Sequence, residues 1–293
     1  MLESVQLIYE LYPLWGASIS LVFGLLIGSF LNVVVGRLPV MLEHAWRQEA
    51  SEFLALEPAS SAGGATLSLV TPRSRCPNCK APISAVDNIP IISYLLLKGR
   101  CRTCKTNISV QYPLVELTAG LATVFLIHHF GLNGTGGLAC LFTYALISLA
   151  IIDYQTTLLP DQITLPFVWI GLIANLSGTF TSIEAAVIGA IAGYLSLWSV
   201  YWLFRLITGK EGMGFGDFKL LAMLGAWLGW QALPSIILLS SLAGTIIGLC
   251  LIAFGRDRNH AIPFGPYLVL AGWIALIWGN EINETYFKLL GVL

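Results

Sequence analysis

Two aspartates stand where long apolar stretches of this sequence meet polar ones. Asp217 closes the glycine-rich run Gly212-Met-Gly-Phe-Gly-Asp217 and precedes an apolar stretch, whereas Asp153 ends an earlier one. Two close carboxylates cannot both ionise easily, so they share a proton and can serve water as general base and general acid. If the fold brings them together, the chemistry this pair predicts is activation of water without a metal, at a membrane surface.

Helix capping is the alternative interpretation of these aspartates, because aspartate is a preferred N-cap residue. Asp161, which follows Pro160, is accounted for by that role alone. Asp153 is not, because it ends its apolar stretch and the helix dipole disfavours a negative charge at a C-terminus. The three glycines before Asp217 exceed what a cap needs, and they allow a close turn or approach to a substrate. Asp153 and Asp217 on one membrane face are therefore a stronger candidate pair than either residue alone.

The composition is that of an integral membrane protein. Of the 293 residues, 56% are hydrophobic and only 11% are charged, against about 25% charged residues in soluble domains. A soluble core cannot hide so much apolar surface, so the expected surroundings are membrane lipid. The formal net charge of −1 gives no indication of nucleic-acid binding.

Apolar stretches along the chain predict an all-α polytopic membrane protein with about eight transmembrane helices. Some stretches are shorter than the roughly 20 residues of a full span, which tilt or re-entry would explain. Pro39 is predicted to end the first helix. The stretches are residues 14–35, 113–130, 138–152, 163–180, 184–206, 218–233, 235–254 and 264–280.

A polar segment, residues 36–112, follows the first predicted helix and holds nine of the fifteen basic residues. By the positive-inside rule this segment lies in the cytoplasm, and the topology then places both chain termini outside and both aspartates at cytoplasmic ends. Four later basic residues fall in loops on the same side: Arg205, Lys210, Arg256 and Arg258. The predicted domains are residues 1–35 with the first helix, a cytoplasmic loop domain 36–112, and a transmembrane core 113–293.

Four of the six cysteines form two tight pairs in this loop, Cys76-Pro-Asn-Cys79 and Cys101-Arg-Thr-Cys104. Four thiolates from two such knuckles suit tetrahedral Zn²⁺. A disulfide is the weaker alternative, because the loop is predicted to lie in the reducing cytoplasm. Four sulfur ligands leave no open position for water, so we expect a closed structural site and not a catalytic metal.

Glu116 lies early in the second apolar stretch, where a carboxylate is costly unless it is paired or near the interface. It is either an interfacial residue in the first turn of its helix or a functional one.

Taken in order, these features resemble the type IV prepilin peptidases over almost the whole chain. The matching motifs are Gly28-Ser-Phe-Leu-Asn32 with Arg37-Leu-Pro39, the two cysteine knuckles, Tyr112-Pro-Leu-Val-Glu116, Asp153 with Pro160-Asp161, and Gly214-Phe-Gly-Asp217 with Lys219. The resemblance implies an aspartic peptidase of the GxGD type in the bacterial inner membrane, with Asp153 and Asp217 as the catalytic pair. Its substrates would be type IV prepilins and type II secretion pseudopilins, cut after a glycine on the cytoplasmic side to release a basic leader.

The complete cysteine loop resembles that of the bifunctional family members, which also methylate the new N-terminal amine. That resemblance implies S-adenosylmethionine as methyl donor and implicates Gly99 and Arg100 in methylation. For Arg100 the alternative is a positive charge that merely fixes the topology.

A transporter or channel with a zinc-bound regulatory loop is the alternative function, because carboxylates within membranes also mark ion pathways. Transporters often contain inverted repeats and broken helices. The sequence shows no convincing internal repeat, and most of its charges lie at the ends of apolar stretches. Both observations favour the peptidase.

Overall fold

A computed structural model describes residues 12–54, 67–255 and 263–289, and Arg256 and Arg258 lie outside these ranges. The described residues are helical, with two isolated β-bridges and no strand, which confirms the all-α prediction. The α-helices are α1 (Pro13–Phe53), α2 (Ile92–Leu96), α3 (Gln111–Phe130), α4 (Gly134–Thr156), α5 (Asp161–Asn175), α6 (Ile183–Thr208), α7 (Phe215–Leu228), α8 (Leu233–Ala253) and α9 (Gly265–Leu289), with 3₁₀ turns at Val86–Asn88 and Trp230–Ala232.

Within the described ranges, five helical stretches are long and apolar enough to cross a membrane, and they correspond to α1, α3, α4, α6 and α8 with its preceding turn. A shorter apolar helix covers Gly265–Gly279 within α9. At 15 and 14 residues, α5 and α7 fall below the roughly 20 residues that span a bilayer by themselves. The predicted count of eight spans is therefore not confirmed by helix length and composition.

The prediction that Pro39 ends the first helix is wrong, because α1 continues through Pro39 to Phe53. Proline removes one backbone donor, and that loss is tolerated when the rest of the helix is well supported. Side-chain pairs four residues apart support the polar extension: Arg47 bonds Glu43 at 2.5 Å, and Gln48 bonds Glu52 at 2.9 Å.

The described chain forms two compact units that divide after Ser148, within α4. In the first unit α1 and α3 pack backbone to backbone. A Cβ added at Gly28 would lie only 2.6 Å from the Cα of Glu116, and one at Gly24 would lie 2.3 Å from Oγ1 of Thr123. Glycine at these positions allows the close approach that sets Glu116 against α1.

In the second unit the short helix α7 forms the core. Ten of its fourteen residues are buried, among them Phe218 and Trp227. Its backbone crosses α6 so closely that a Cβ added at Gly225 would lie 2.2 Å from the carbonyl oxygen of Gly189. Asn175 closes the far end of α7, because its amide donates to the carbonyls of Ala226 and Trp227 at 2.9 and 3.0 Å. These contacts give α7, and with it Asp217, a fixed place in the unit.

Candidate active site and metal site

Asp153 lies in the last turn of α4 and is only 5% exposed. Its Oδ2 accepts a hydrogen bond of 3.0 Å from the backbone N–H of Gly265, the first residue of α9. A Cβ at position 265 would lie 2.6 Å from the same oxygen, so the approach requires glycine. The positive N-terminal end of α9 thus faces a carboxylate that the C-terminal end of its own helix disfavours.

Asp217 is the third residue of α7 and is 7% exposed. It stands three residues after Gly214, the N-cap residue of the helix, the position from which a side chain can reach back to the cap in a capping box. Its Oδ1 is buried and has no hydrogen-bond partner among the described residues. Capping therefore accounts for part of this carboxylate and leaves one buried oxygen for another role.

Asp153 and Asp217 are both buried and belong to the same unit. Two interacting buried carboxylates hold a proton between them and titrate as a pair. Such a pair can take a proton from water and supply one to a carbonyl oxygen. The two residues that the sequence singled out thus lie buried in one unit, and their pairing stays a prediction, whereas Gly265 was missed because no local pattern links it to position 153.

Asp161 is not the N-cap of its helix, as the capping interpretation expected. The cap position of α5 is Pro160, and Asp161 is the first helical residue. Both carboxylate oxygens of Asp161 lie 2.7 Å from Nζ of Lys219 on α7. The pair links the first turn of α5 to the second turn of α7, and the long-range partner explains why the local prediction was incomplete.

The two cysteine knuckles converge on one point, where the Sγ atoms of Cys76, Cys79, Cys101 and Cys104 all lie within 4.8 Å of one another. The Sγ separations of Cys76–Cys104 and Cys79–Cys101 are 3.8 and 4.0 Å. A tetrahedron with metal–sulfur bonds of about 2.3 Å has edges of about 3.8 Å, so the arrangement fits a four-thiolate metal site. A disulfide needs sulfurs about 2.05 Å apart.

Each knuckle is a tight turn of the same design. Lys80 donates its N–H to the carbonyl of Cys76 at 3.0 Å, and Lys105 does the same to Cys101 at 3.1 Å. Lys80 and Lys105 both have a positive φ, 59° and 60°. The Sγ of Cys104 lies 3.4 Å from Oγ1 of Thr106, a polar neighbour for one of the four thiols that would bind a metal as thiolates.

Gly99 and Arg100 precede the second knuckle directly. Gly99 has a φ of +66°, and a Cβ there would lie 2.9 Å from the ring of Tyr94, so the turn itself requires glycine. Its carbonyl also accepts a 2.7 Å hydrogen bond from Ile108. Arg100 lines a cavity of about 750 Å³ in the first unit. The structure gives Gly99 a backbone role and leaves Arg100 facing open space.

Glu116 is buried at 8% exposure and is the sixth residue of α3, so it does not lie in the first turn of its helix. Its Oε2 accepts a 2.7 Å hydrogen bond from the N–H of Ile91. Ile91 has a φ of +59°, an unfavourable value for a β-branched residue. Glu116 thus holds the loop before α2 against α3, and it lines the same cavity as Arg100.

Known proteins match this chain over nearly all of its length. Residues 22–130 match the bacterial peptidase A24 N-terminal domain, and residues 140–249 match the type IV leader peptidase family. A protein of Stutzerimonas stutzeri is 52% identical over 94% of this chain and 95% of its own length, and one of Pseudomonas aeruginosa is 52% identical over 96% of both. A third, from Aeromonas salmonicida, is 53% identical over 92% of this chain and 94% of its own.

Each of these relatives is named prepilin leader peptidase/N-methyltransferase. No solved structure gave a significant match.

Proposed function

Because the chain belongs to the type IV leader peptidase family, we propose that it cleaves the basic leader from type IV prepilins and type II secretion pseudopilins and then methylates the new N-terminus. The observation that carries the proposal is the burial of two carboxylates, Asp153 and Asp217, within one unit. Family membership gives no support to the transporter alternative.

In the proposed cleavage step, the Asp153–Asp217 pair begins with one shared proton. The ionised carboxylate takes a proton from water as the water oxygen attacks the scissile carbonyl carbon, and the protonated carboxylate donates to the carbonyl oxygen. The peptide C–N bond then breaks, the leaving amine takes a proton from the pair, and a hydroxyl of the tetrahedral intermediate returns one to it, so that the carboxylic acid forms and the shared proton is restored. The bond from Gly265 to Asp153 stabilises the ionised form of that carboxylate and holds its second oxygen for the water.

The proposed membrane arrangement has eight crossings, with α5, α7 and α9 added to the five long helices and both termini outside. The domains are residues 1–35, a cytoplasmic loop domain 36–112 and a transmembrane core 113–293. Asp153 and Asp217 then lie at the cytoplasmic face of the bacterial inner membrane. The apolar stem of a prepilin would lie among lipid and helices while its basic leader stays in the cytoplasm, so the cut falls at the interface.

We infer that the metal is zinc. Its proposed ligands are the thiolates of Cys76, Cys79, Cys101 and Cys104. All four ligand positions are filled by thiolates, so the metal has a structural role and stabilises the fold of the two knuckles. The peptidase step uses none of these residues.

Methylation is the second proposed activity, and S-adenosylmethionine supplies the methyl group when bound. Arg100 is the proposed partner of its carboxylate, because a guanidinium offers a planar pair of donors. Gly99 supplies the left-handed turn that places Arg100 at the cavity.

The test is incubation of the purified full-length protein with a leader-bearing prepilin, with and without S-adenosylmethionine, followed by intact mass measurement. Loss of the leader in both samples, with one added methyl group only in the second, is the expected result. A prepilin left uncut by the wild-type protein would overturn the peptidase assignment and revive the transporter alternative. Cutting without any added methyl would overturn the methyltransferase assignment alone.

A further inference from the structure

A cavity of about 750 Å³ lies in the first unit, between the cysteine knuckles and the adjoining faces of α1 and α3. Its volume falls within the about 300–1,000 Å³ of typical small-molecule sites. The Asp153–Asp217 pair is not among its lining residues. The cavity is therefore a second candidate site, and the proposed cleavage step does not involve its lining residues.

Arginines line the basic side of the cavity, and some of them have partners among the described residues while others do not. Arg37 is held by the carbonyls of Ser68 and Pro72 at 2.8 and 2.7 Å. Arg102 is held by Asp87, and this contact lowers the pKa of Asp87. Two further guanidinium groups line the cavity without a hydrogen bond or ion pair to any described residue: Arg75 and Arg100. These two are available to an anionic group.

The other side of the cavity is formed by α1 and α3, and it carries a negative charge. Glu116 on α3 lines the cavity, and the residue as a whole is 8% exposed. Asn32 on α1 also lines it and is 7% exposed, and its Nδ2 donates to Tyr112 O at 3.0 Å. That bond fixes the orientation of the amide, and Oδ1 has no donor among the described residues. This side therefore offers a negative charge, that of Glu116.

A ligand that satisfies both sides must carry a carboxylate and a cationic centre. A polyphosphate would meet the negative charge of Glu116, and a basic leader peptide would meet Arg75 and Arg100, so neither class matches the whole lining. Tyr94 and Tyr112 add aromatic rings, which offer surfaces for a purine base.

S-Adenosylmethionine has these three parts: an adenine, an amino-acid carboxylate, and a cationic sulfonium with a nearby amino group. We propose that the cavity binds this methyl donor, with Glu116 as counter-charge of its cationic part and Arg75 and Arg100 as partners of its carboxylate. The inference rests on the proposed methyltransferase function and assigns its donor site.

The experiment measures binding by calorimetry on the purified full-length protein, with three probes that differ by one charge. S-Adenosylhomocysteine lacks the sulfonium charge, and decarboxylated S-adenosylmethionine lacks the carboxylate. Glu116→Gln keeps an oxygen that can accept from Ile91 and removes only the charge, so it separates ligand binding from support of the loop. Glu43→Gln makes the same change on the exposed extension of α1 and is the matched control.

We expect Glu116→Gln to weaken S-adenosylmethionine binding by about tenfold or more and S-adenosylhomocysteine binding by clearly less. Arg75→Ala and Arg100→Ala should weaken S-adenosylmethionine binding and leave decarboxylated S-adenosylmethionine nearly unaffected. Prepilin cleavage should persist in all of these variants, and Glu43→Gln should bind as the wild type does.

A purely structural role for Glu116 predicts equal losses for all probes, and that result would overturn the inference. Normal binding and methyl transfer in the Glu116 and arginine variants would overturn it as well, with the methyltransferase function intact. A wild-type protein that cuts prepilin yet neither binds the donor nor transfers a methyl group would refute the methyltransferase function itself, and the donor site with it.

Discussion

The backbone N–H of Gly265 donates a 3.0 Å hydrogen bond to Oδ2 of Asp153, a residue 112 positions earlier in the chain. This contact joins the C-terminal end of α4 to the N-terminal end of α9. Asp217 comes from a third helix, α7. The candidate active site therefore depends on the mutual packing of three helices that are remote in sequence.

Replacing either dyad carboxylate by its amide is expected to abolish cleavage. Asp153→Asn and Asp217→Asn each remove a group that must accept or donate a proton, at a cost of roughly 10²-fold or more in rate. The measurement is the rate of leader removal from a prepilin by purified protein, with membrane accumulation checked in parallel.

Asp161→Asn is the matched control for these variants. It weakens the contact to Lys219, whose side chain is 28% exposed while that of Asp161 is 47% exposed, and such pairs contribute only about 0–1 kcal/mol. We expect it to retain most cleavage. Near-normal cleavage by Asp153→Asn or Asp217→Asn would eliminate the dyad assignment.

Gly265→Ala is expected to impair cleavage although it leaves both aspartates in place. The added Cβ would lie 2.6 Å from Oδ2 of Asp153, so the carboxylate or the start of α9 must shift. Misplacement of a catalytic group by about 1 Å can cost roughly 10²-fold in rate.

Gly279→Ala, on the same helix, is the control, because nothing lies within 4 Å of a Cβ at that position. Both variants are compared with wild type for leader removal and for thermal unfolding. Equal cleavage by the two alanine variants would show that the Gly265 contact does not position Asp153.

Metal analysis is expected to find one zinc per chain in protein prepared without chelator. Cys79→Ala should lower that content and make the loop more susceptible to proteolysis, because a structural metal contributes folding free energy. Cys250→Ala is the control, since Cys250 is outside the four-thiol cluster. Wild-type protein without zinc would contradict the proposal, as would full zinc content in Cys79→Ala.

Asn175→Ala is expected to destabilise the second unit. Asn175 donates to two carbonyls at the end of α7, and its Oδ1 accepts from Phe180 and Thr181 at 3.0 and 3.1 Å. Each buried backbone group left unsatisfied costs about 1–3 kcal/mol. The measurement is the midpoint of thermal unfolding in detergent, and Ser177→Ala, which removes the hydroxyl of an exposed residue nearby, is the comparison. An unchanged midpoint in Asn175→Ala would show that this side chain is dispensable.

Several features were predictable from the sequence because they depend on neighbours along the chain. Apolar stretches become helices since a buried backbone must satisfy its own hydrogen bonds. The paired cysteines converge because each Cys-x-x-Cys pair forms one tight turn, and the order of the motifs indicated the family that the comparisons then showed. Asp153 and Asp217 were singled out by their positions at the ends of such stretches.

Other features depend on which helices pack together, and local rules do not contain that information. The sequence predicts that the first helix ends at Pro39. In the structure α1 continues past Pro39, and side-chain pairs such as Arg47 with Glu43 support this extension. The local sequence predicts that Asp161 is a helix cap, whereas its partner in the structure is Lys219, a residue of another helix.

The surroundings of the two carboxyl groups in the inferred sites were likewise decided by tertiary structure. Asp153 receives the N-terminus of α9 through Gly265, and Glu116 is buried beside a cavity lined with arginines because glycines let α1 approach α3. The sequence by itself determined which groups can do the chemistry. Only the packing of distant helices, through close backbone approach and burial, decided the partners that orient those groups and balance their charge.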